Sequence, residues 1–153
     1  MAHIHEKIDF TTSVYVVYED KVLLHLHKKA GIWLPPGGHI ELDEDPTDAA
    51  RREVKEEAGI DVDLIGQPLS GHVATDRGRE ILPPKYIFRH FYDDTKQHEH
   101  VDLIYFAKVM DAAFVSEDGV EMRWISKQEI EAGSLPLNED VRIYSLAAIK
   151  ELS

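Results

Sequence analysis

The sequence predicts a mixed α/β fold, a central sheet with strands in both directions and helices packed on both of its faces. Three observations predict it: two pairs of strand-like runs that read as hairpins, a helix signalled at both ends, and a C-terminal amphipathic helix.

Residues 10–18 (FTTSVYVVY) and 22–27 (VLLHLH) are rich in β-branched and aliphatic side chains, with Glu19, Asp20 and Lys21 between them as a turn. They make the first hairpin. Lys28 and Lys29 then lead to GIWLPPGGHIE, in which Pro35 and Pro36 stiffen the chain while Gly37 and Gly38 permit a sharp turn and close approach to a ligand. A helix follows. Asp45 is placed to cap it, Pro46 suits its first position, Asp48 adds negative charge to its first turn, and Gly59 ends it in a left-handed residue. At about 100° per residue, Ala50, Val54 and Ala58 form an apolar stripe, and Glu53, Glu56 and Glu57 crowd onto the adjoining face.

Beyond the helix, residues 60–65 (IDVDLI) alternate as a strand, Gly66, Gln67 and Pro68 break it, and 71–74 are placed to resume it. Residues 75–84 (TDRGREILPP) read as a loop, from which Arg77, Arg79 and Lys85 are candidates to reach a phosphate or a sugar. The second hairpin joins 86–92 (YIFRHFY) to 101–109 (VDLIYFAKV) through a charged tip, 93–100. A short strand ending at Trp124 precedes a short helix over 125–132, where Ser126 and Glu129 make a capping box. The terminal helix, 138–152, carries a mainly apolar stripe of Val141, Ile143, Tyr144, Leu146, Ala147, Ile149 and Lys150.

At 153 residues the chain reads as a single domain spanning 1–153. Its 43% hydrophobic and 30% charged residues, with no long apolar run and no apolar signal core near the N-terminus, predict a cytoplasmic protein. The lack of cysteine rules out disulfides and thiolate metal sites. A net charge of −12 argues against nucleic-acid and membrane partners, which basic patches usually meet. It leaves open a small phosphate substrate, provided that bound divalent cations invert the local field.

Three carboxylates on one helix face repel unless water or a cation separates them, and a hard divalent ion takes carboxylate oxygens readily. Gly38, five residues, Glu44, seven residues, Arg52-Glu53-Val54, one residue, Glu56-Glu57, one residue and Gly59-Ile60 match the nine specified positions of the Nudix box. The chain therefore resembles the Nudix hydrolases over residues 38–60. That resemblance implies an α/β/α sandwich and a loop-helix-loop site in which Glu53, Glu56 and Glu57, with the Gly38 carbonyl, bind Mg2+ or Mn2+. It also implies hydrolysis, at a phosphorus, of a nucleoside diphosphate linked to another group.

The resemblance makes Lys28 and Lys29 candidates for substrate phosphate and Arg52 the residue that orients a ligand glutamate, with Glu44 in support. The general base it implies is a box glutamate, Glu56 or Glu57, or a loop acid such as Glu99 or Glu117; His100, Asp118 and Glu121 are further loop candidates. It places Trp33 on the approach to the glycines, while Pro35 departs from the aliphatic or aromatic residue common there.

Substrate markers are missing. The proline of the ADP-ribose branch would fall at Thr75, the tyrosine of the diadenosine-polyphosphate branch near Asp76 and Arg77, and the NADH-type array is absent. A nucleoside triphosphate is therefore the expected substrate, with nucleotide sugars or ADP-ribose next and a non-catalytic nucleotide sensor as the reading from another class. A homodimer is left open. Three of the nine histidines' pairings are HxH, His3/His5, His25/His27 and His98/His100, but without further ligands at recognisable spacing they do not predict a zinc site.

Overall fold

The computed structural model describes residues 4–69 and 73–153. The sheet is built on one long strand, β1 (Ile8–Tyr18), whose residues Val14, Val16 and Val17 are fully buried with helices on either side. One edge of β1 pairs in parallel with β7 (Glu99–Lys108), and the other is shared antiparallel by β2 (Lys21–His27) and β4 (Gly37–His39). Outside these lie β3 (Ile32–Leu34) and β8 (Met122–Ser126) on β2, and β5 (Leu64–Ile65) and β6 (Tyr86–Phe91) on β7, all antiparallel. The result, among the described residues, is a mixed sheet of eight strands.

Strand alternation sorts the core into two layers. Val14, Val16, Tyr105 and Ala107 face α1 (Pro46–Ala58) and meet its stripe of Ala50, Val54 and Ala58. Tyr15, Val17, Ile104 and Phe106 face the other way, against Ile130 of α2 (Lys127–Ala132) and Val141, Ala148 and Ile149 of α3 (Glu139–Leu152). Helices thus cover both faces. No helix among the described residues is long and apolar enough to cross a membrane.

The local signals act as their chemistry dictates. Asp45 accepts from the amides of Thr47 and Asp48 while Asp48 reaches back to the Asp45 amide, and Gly59 closes α1 at φ 68°. Ser126 and Glu129 make the same reciprocal cap on α2. Trp33 is buried in the α3-side core, with the Arg123 guanidinium 4.9 Å from its ring centroid.

Other expectations change. Gly37 and Gly38 form no turn: they lie in β4, paired with Ser13 and Thr12, and only the need for close approach remains. A Cβ on Gly37 would run into the Thr12 carbonyl oxygen and come within 3.0 Å of Ser13 Cα. The strand expected over 60–65 is reduced to Leu64 and Ile65, the residues that find partners on β7. Its resumption at 71–74 falls largely outside the described residues, and Ala74 makes an isolated bridge to Arg79. On α3 the buried stripe is Val141, Ser145, Ala148 and Ile149, while Ile143 is 50% exposed, because the helical repeat from Val141 passes through a serine that hydrophobicity overlooks.

Gly37→Ala is expected to destabilise the protein by about 1–3 kcal/mol, since backbone rather than a flexible side chain must move. Gly78→Ala, where an added Cβ meets nothing within 4 Å, serves as the control. Urea unfolding midpoints should fall for the first and stay unchanged for the second.

Candidate active site

The acidic site forms where β4 runs into the loop before α1. Because Gly38 and Thr12 are paired and face α1, the space a side chain would fill at Gly38 is occupied by the Glu53 carboxylate, whose Cδ lies 2.6 Å from the position of a Cβ there. Glu53 itself is 5% exposed. One turn on, Glu57 accepts from the Gly37 amide at 3.2 Å, and Glu56 lies on the outer side of the helix.

Arg52 ties these groups together. Its Nε and Nη2 donate to the two oxygens of Glu44, at 3.0 and 2.6 Å, its Nη1 to Glu53 at 2.8 Å and Glu56 at 3.3 Å, and its Nη2 also to the His39 carbonyl at 3.0 Å. The hydrogen bond from Arg52 holds the Glu44 carboxyl below its usual range, and the same bond raises Arg52 above its own. Loop, strand and helix are thereby fixed to one planar group.

Glu57 has the opposite environment. Burial pushes its carboxyl up to about 8, and the neighbouring Glu53 and Glu117 add to the rise, against a smaller opposing effect of the Gly37 amide.

Of the loop acids, the structure brings Glu117 to the box and leaves Glu99 away from it. Glu117 donates its amide to the Glu57 carbonyl at 3.1 Å. Glu99 is not in the hairpin tip: it opens β7 opposite Ile8, five residues along β1 from the partner of Gly37, about 16 Å at strand rise. There Arg89 grips both its oxygens at 2.7 and 2.8 Å. His100 also lies in β7 rather than in the tip.

The basic candidates divide in the same way. Lys28 extends over the loop after Glu117, with Nζ 3.9 Å from where a Cβ on Gly119 would stand, and Lys29 is exposed beside it. Arg79 pairs with Asp45 at 3.3 Å at the opposite, N-terminal end of α1, and Arg77 is exposed in the same loop. Lys85 is engaged by Glu151 at 2.8 Å.

Sequence reasoning missed His25. Its Nε2 lies 3.2 Å from Glu57 Oε2, and burial lowers its basicity. The available signal was its position in the HxH of β2, the strand that runs alongside β3 toward the glycines, but nothing in the spacing names Glu57 as the partner.

Comparison with known proteins agrees with this architecture. A crystal structure of a hydrolase of the NUDIX family from Clostridium perfringens superposes with a TM-score of 0.80 at 33% identity, covering 95% of this chain and 98% of that one. Among curated proteins, the CTP pyrophosphohydrolase of Escherichia coli (strain K12) is 32% identical over 77 residues, 50% of this chain and 56% of that protein. The m7GpppN-mRNA hydrolase NUDT17 of Danio rerio is 55% identical over 31 residues, 20% of this chain and 10% of that protein. The chain thus spans a tenth to about half of the length of these curated relatives. The NUDIX domain model matches residues 9–146, and with Glu53 packed on Gly38 and Glu57 bonded to the Gly37 amide the chain belongs to the Nudix family.

Proposed function

We propose that this protein hydrolyses a phosphoanhydride bond in a nucleoside diphosphate linked to another group, with a nucleoside triphosphate as the first candidate substrate and Mg2+ or Mn2+ as the cofactor. The observation that carries the reading is the convergence of Glu53 and Glu57 on Gly37 and Gly38, with Arg52 holding Glu53 and Glu56. The Escherichia coli relative is named for a nucleoside triphosphate, which supports that choice of substrate.

The residues fit the cofactor. They offer oxygen donors only, the set that hard divalent cations take, and burial, with Glu53 and Glu117 nearby, raises the Glu57 carboxyl, as crowded acids require. Glu53, Glu56, Glu57 and the Gly38 carbonyl would hold the ion. When bound, such an ion supplies charge neutralisation on phosphate oxygens and acidifies water.

The chain's own groups do the rest. Arg52 keeps Glu53 and Glu56 aimed as charge builds up at phosphorus. Glu56, Glu57 or Glu117 takes the proton of the attacking water, and the Glu117 loop lies against Glu57. Lys28 and Lys29 meet phosphate oxygens at the rim of the site. For a nucleoside triphosphate cleaved in this way the products are the monophosphate and pyrophosphate.

A panel of nucleoside triphosphates, ADP-ribose, nucleotide sugars and dinucleoside polyphosphates, incubated with Mg2+ or Mn2+ and resolved by chromatography, tests the reading. Monophosphate release is the expected result, and tight calorimetric binding without product over hours would overturn it in favour of a sensor. Glu56→Gln and Glu57→Gln should each lower kcat, by about 10²–10⁴-fold for the one that is the base. Arg52→Lys keeps the charge but loses the forked grip, and should weaken divalent-ion affinity by about 10–100-fold with the fold retained, as circular dichroism would verify.

Binding should also be linked to pH. A ligand carboxyl must be deprotonated, and that of Glu57 stays largely protonated below about 8, so affinity for Mg2+ should rise from pH 6 to 8. Calorimetry in buffers of different ionisation enthalpy should detect proton release in wild type and less of it in Glu57→Gln.

A further inference from the structure

We propose that Asp9, His98 and His100 form a second metal site, for a borderline divalent cation of the zinc type, on the face of the sheet opposite the box helix. Asp9 shares its side of β1 with Tyr15 and Val17, the α3 side, and His100 is its partner across the parallel β1–β7 ladder. His98 and His100, two apart in sequence, present their rings to the same side. One ligand atom from each of the three residues lies within 4.8 Å of the other two.

The hydrogen bonding favours a cation there. His98 Nδ1 is 3.0 Å from the Glu6 carbonyl oxygen, which only accepts, so Nδ1 carries the proton and neutral His98 has its lone pair at Nε2. That lone pair is aimed at Asp9 Oδ2, 3.2 Å away, in a site where Asp9 is fully buried and His98 is 7% exposed. An imidazole lone pair and a carboxylate oxygen at this distance need a shared proton or a metal ion between them. Tetrahedral zinc with bonds of 2.0–2.1 Å spaces its ligand atoms by roughly 3.3 Å, close to the 3.2 Å between His98 Nε2 and Asp9 Oδ2.

The surroundings resemble an outer shell that orients ligands. The Glu6 carbonyl fixes the His98 tautomer, His39 Nε2 contacts Asp9 Oδ2 from another side at 3.0 Å, and the amides of Ile4 and His5 donate to the Asp9 carboxylate at 3.3 and 2.7 Å. Two imidazoles and one carboxylate suit zinc better than magnesium, which prefers oxygen, so the two sites should sort their ions by chemistry. Such an ion would join β1, β7 and, through His39, the end of β4.

The test uses the full chain, stripped of metal and returned to excess Mg2+ so that the box carboxylates are occupied, then titrated with Zn2+. One tight Zn2+ per chain is expected, with a raised Tm and, on substituting Co2+, the intense visible absorption of a four-coordinate ion. The His98→Gln/His100→Gln double variant should bind Zn2+ more than about 100-fold more weakly, a larger loss than outer-shell changes give. Glu56→Gln should bind it as wild type does. X-ray absorption on wild type loaded with one Zn2+ does not depend on whether the variants fold, and should show imidazole scattering from two histidines. An oxygen-only shell, no tight Zn2+ in wild type, or tight binding that persists in the histidine variant overturns the proposal.

Discussion

A single guanidinium reconciles what the sequence places in conflict. Glu44, Glu53 and Glu56 converge at the end of β4 in a protein of net charge −12, and Arg52 is the cation that all three share. Its planarity matters as much as its charge, because two edges of one rigid group meet the loop carboxylate, the helix carboxylates and the His39 carbonyl together. Glu57, beyond its reach, has no such relief and is held largely protonated by burial. The site thus holds two kinds of carboxyl, three sharing one guanidinium and one raised by burial.

The frame around that group follows from strand geometry. Gly37 and Gly38 could hold no larger residue, one because the Thr12 backbone is in contact and the other because Glu53 fills the space, so close approach explains both glycines without any left-handed backbone. The helix that presents the glutamates is fixed at both ends by its own caps and along one side by small residues, Ala50 and Ala58, which let it lie close to the sheet.

Much of this was legible in the sequence because its determinants are local. Caps at Asp45, Ser126 and Gly59, the hairpin turn at Glu19 and the spacing of the box depend on residues a few positions apart. What stayed hidden depends on pairing between distant strands: that Glu99 opens β7 opposite Ile8 instead of closing a loop, that His25 reaches Glu57, and that Asp9 meets His98 across the parallel ladder. The HxH spacing put two rings on one side, but a third ligand 89 residues away has no signature in local sequence. On α3, too, burial of Ser145 was set by helix geometry and not by side-chain polarity.

β4 contains only Gly37, Gly38 and His39, yet its neighbours in sequence look to opposite sides of the sheet, the glycine toward the box glutamates and the histidine toward Asp9. A slip of one residue that set His39 opposite Thr12 would exchange those outlooks, driving its imidazole into the acid site and bringing Ile40 opposite Thr11 on the side of Asp9. Length between β3 and α1 is thus constrained twice over, and an insertion or deletion there would damage both faces at once.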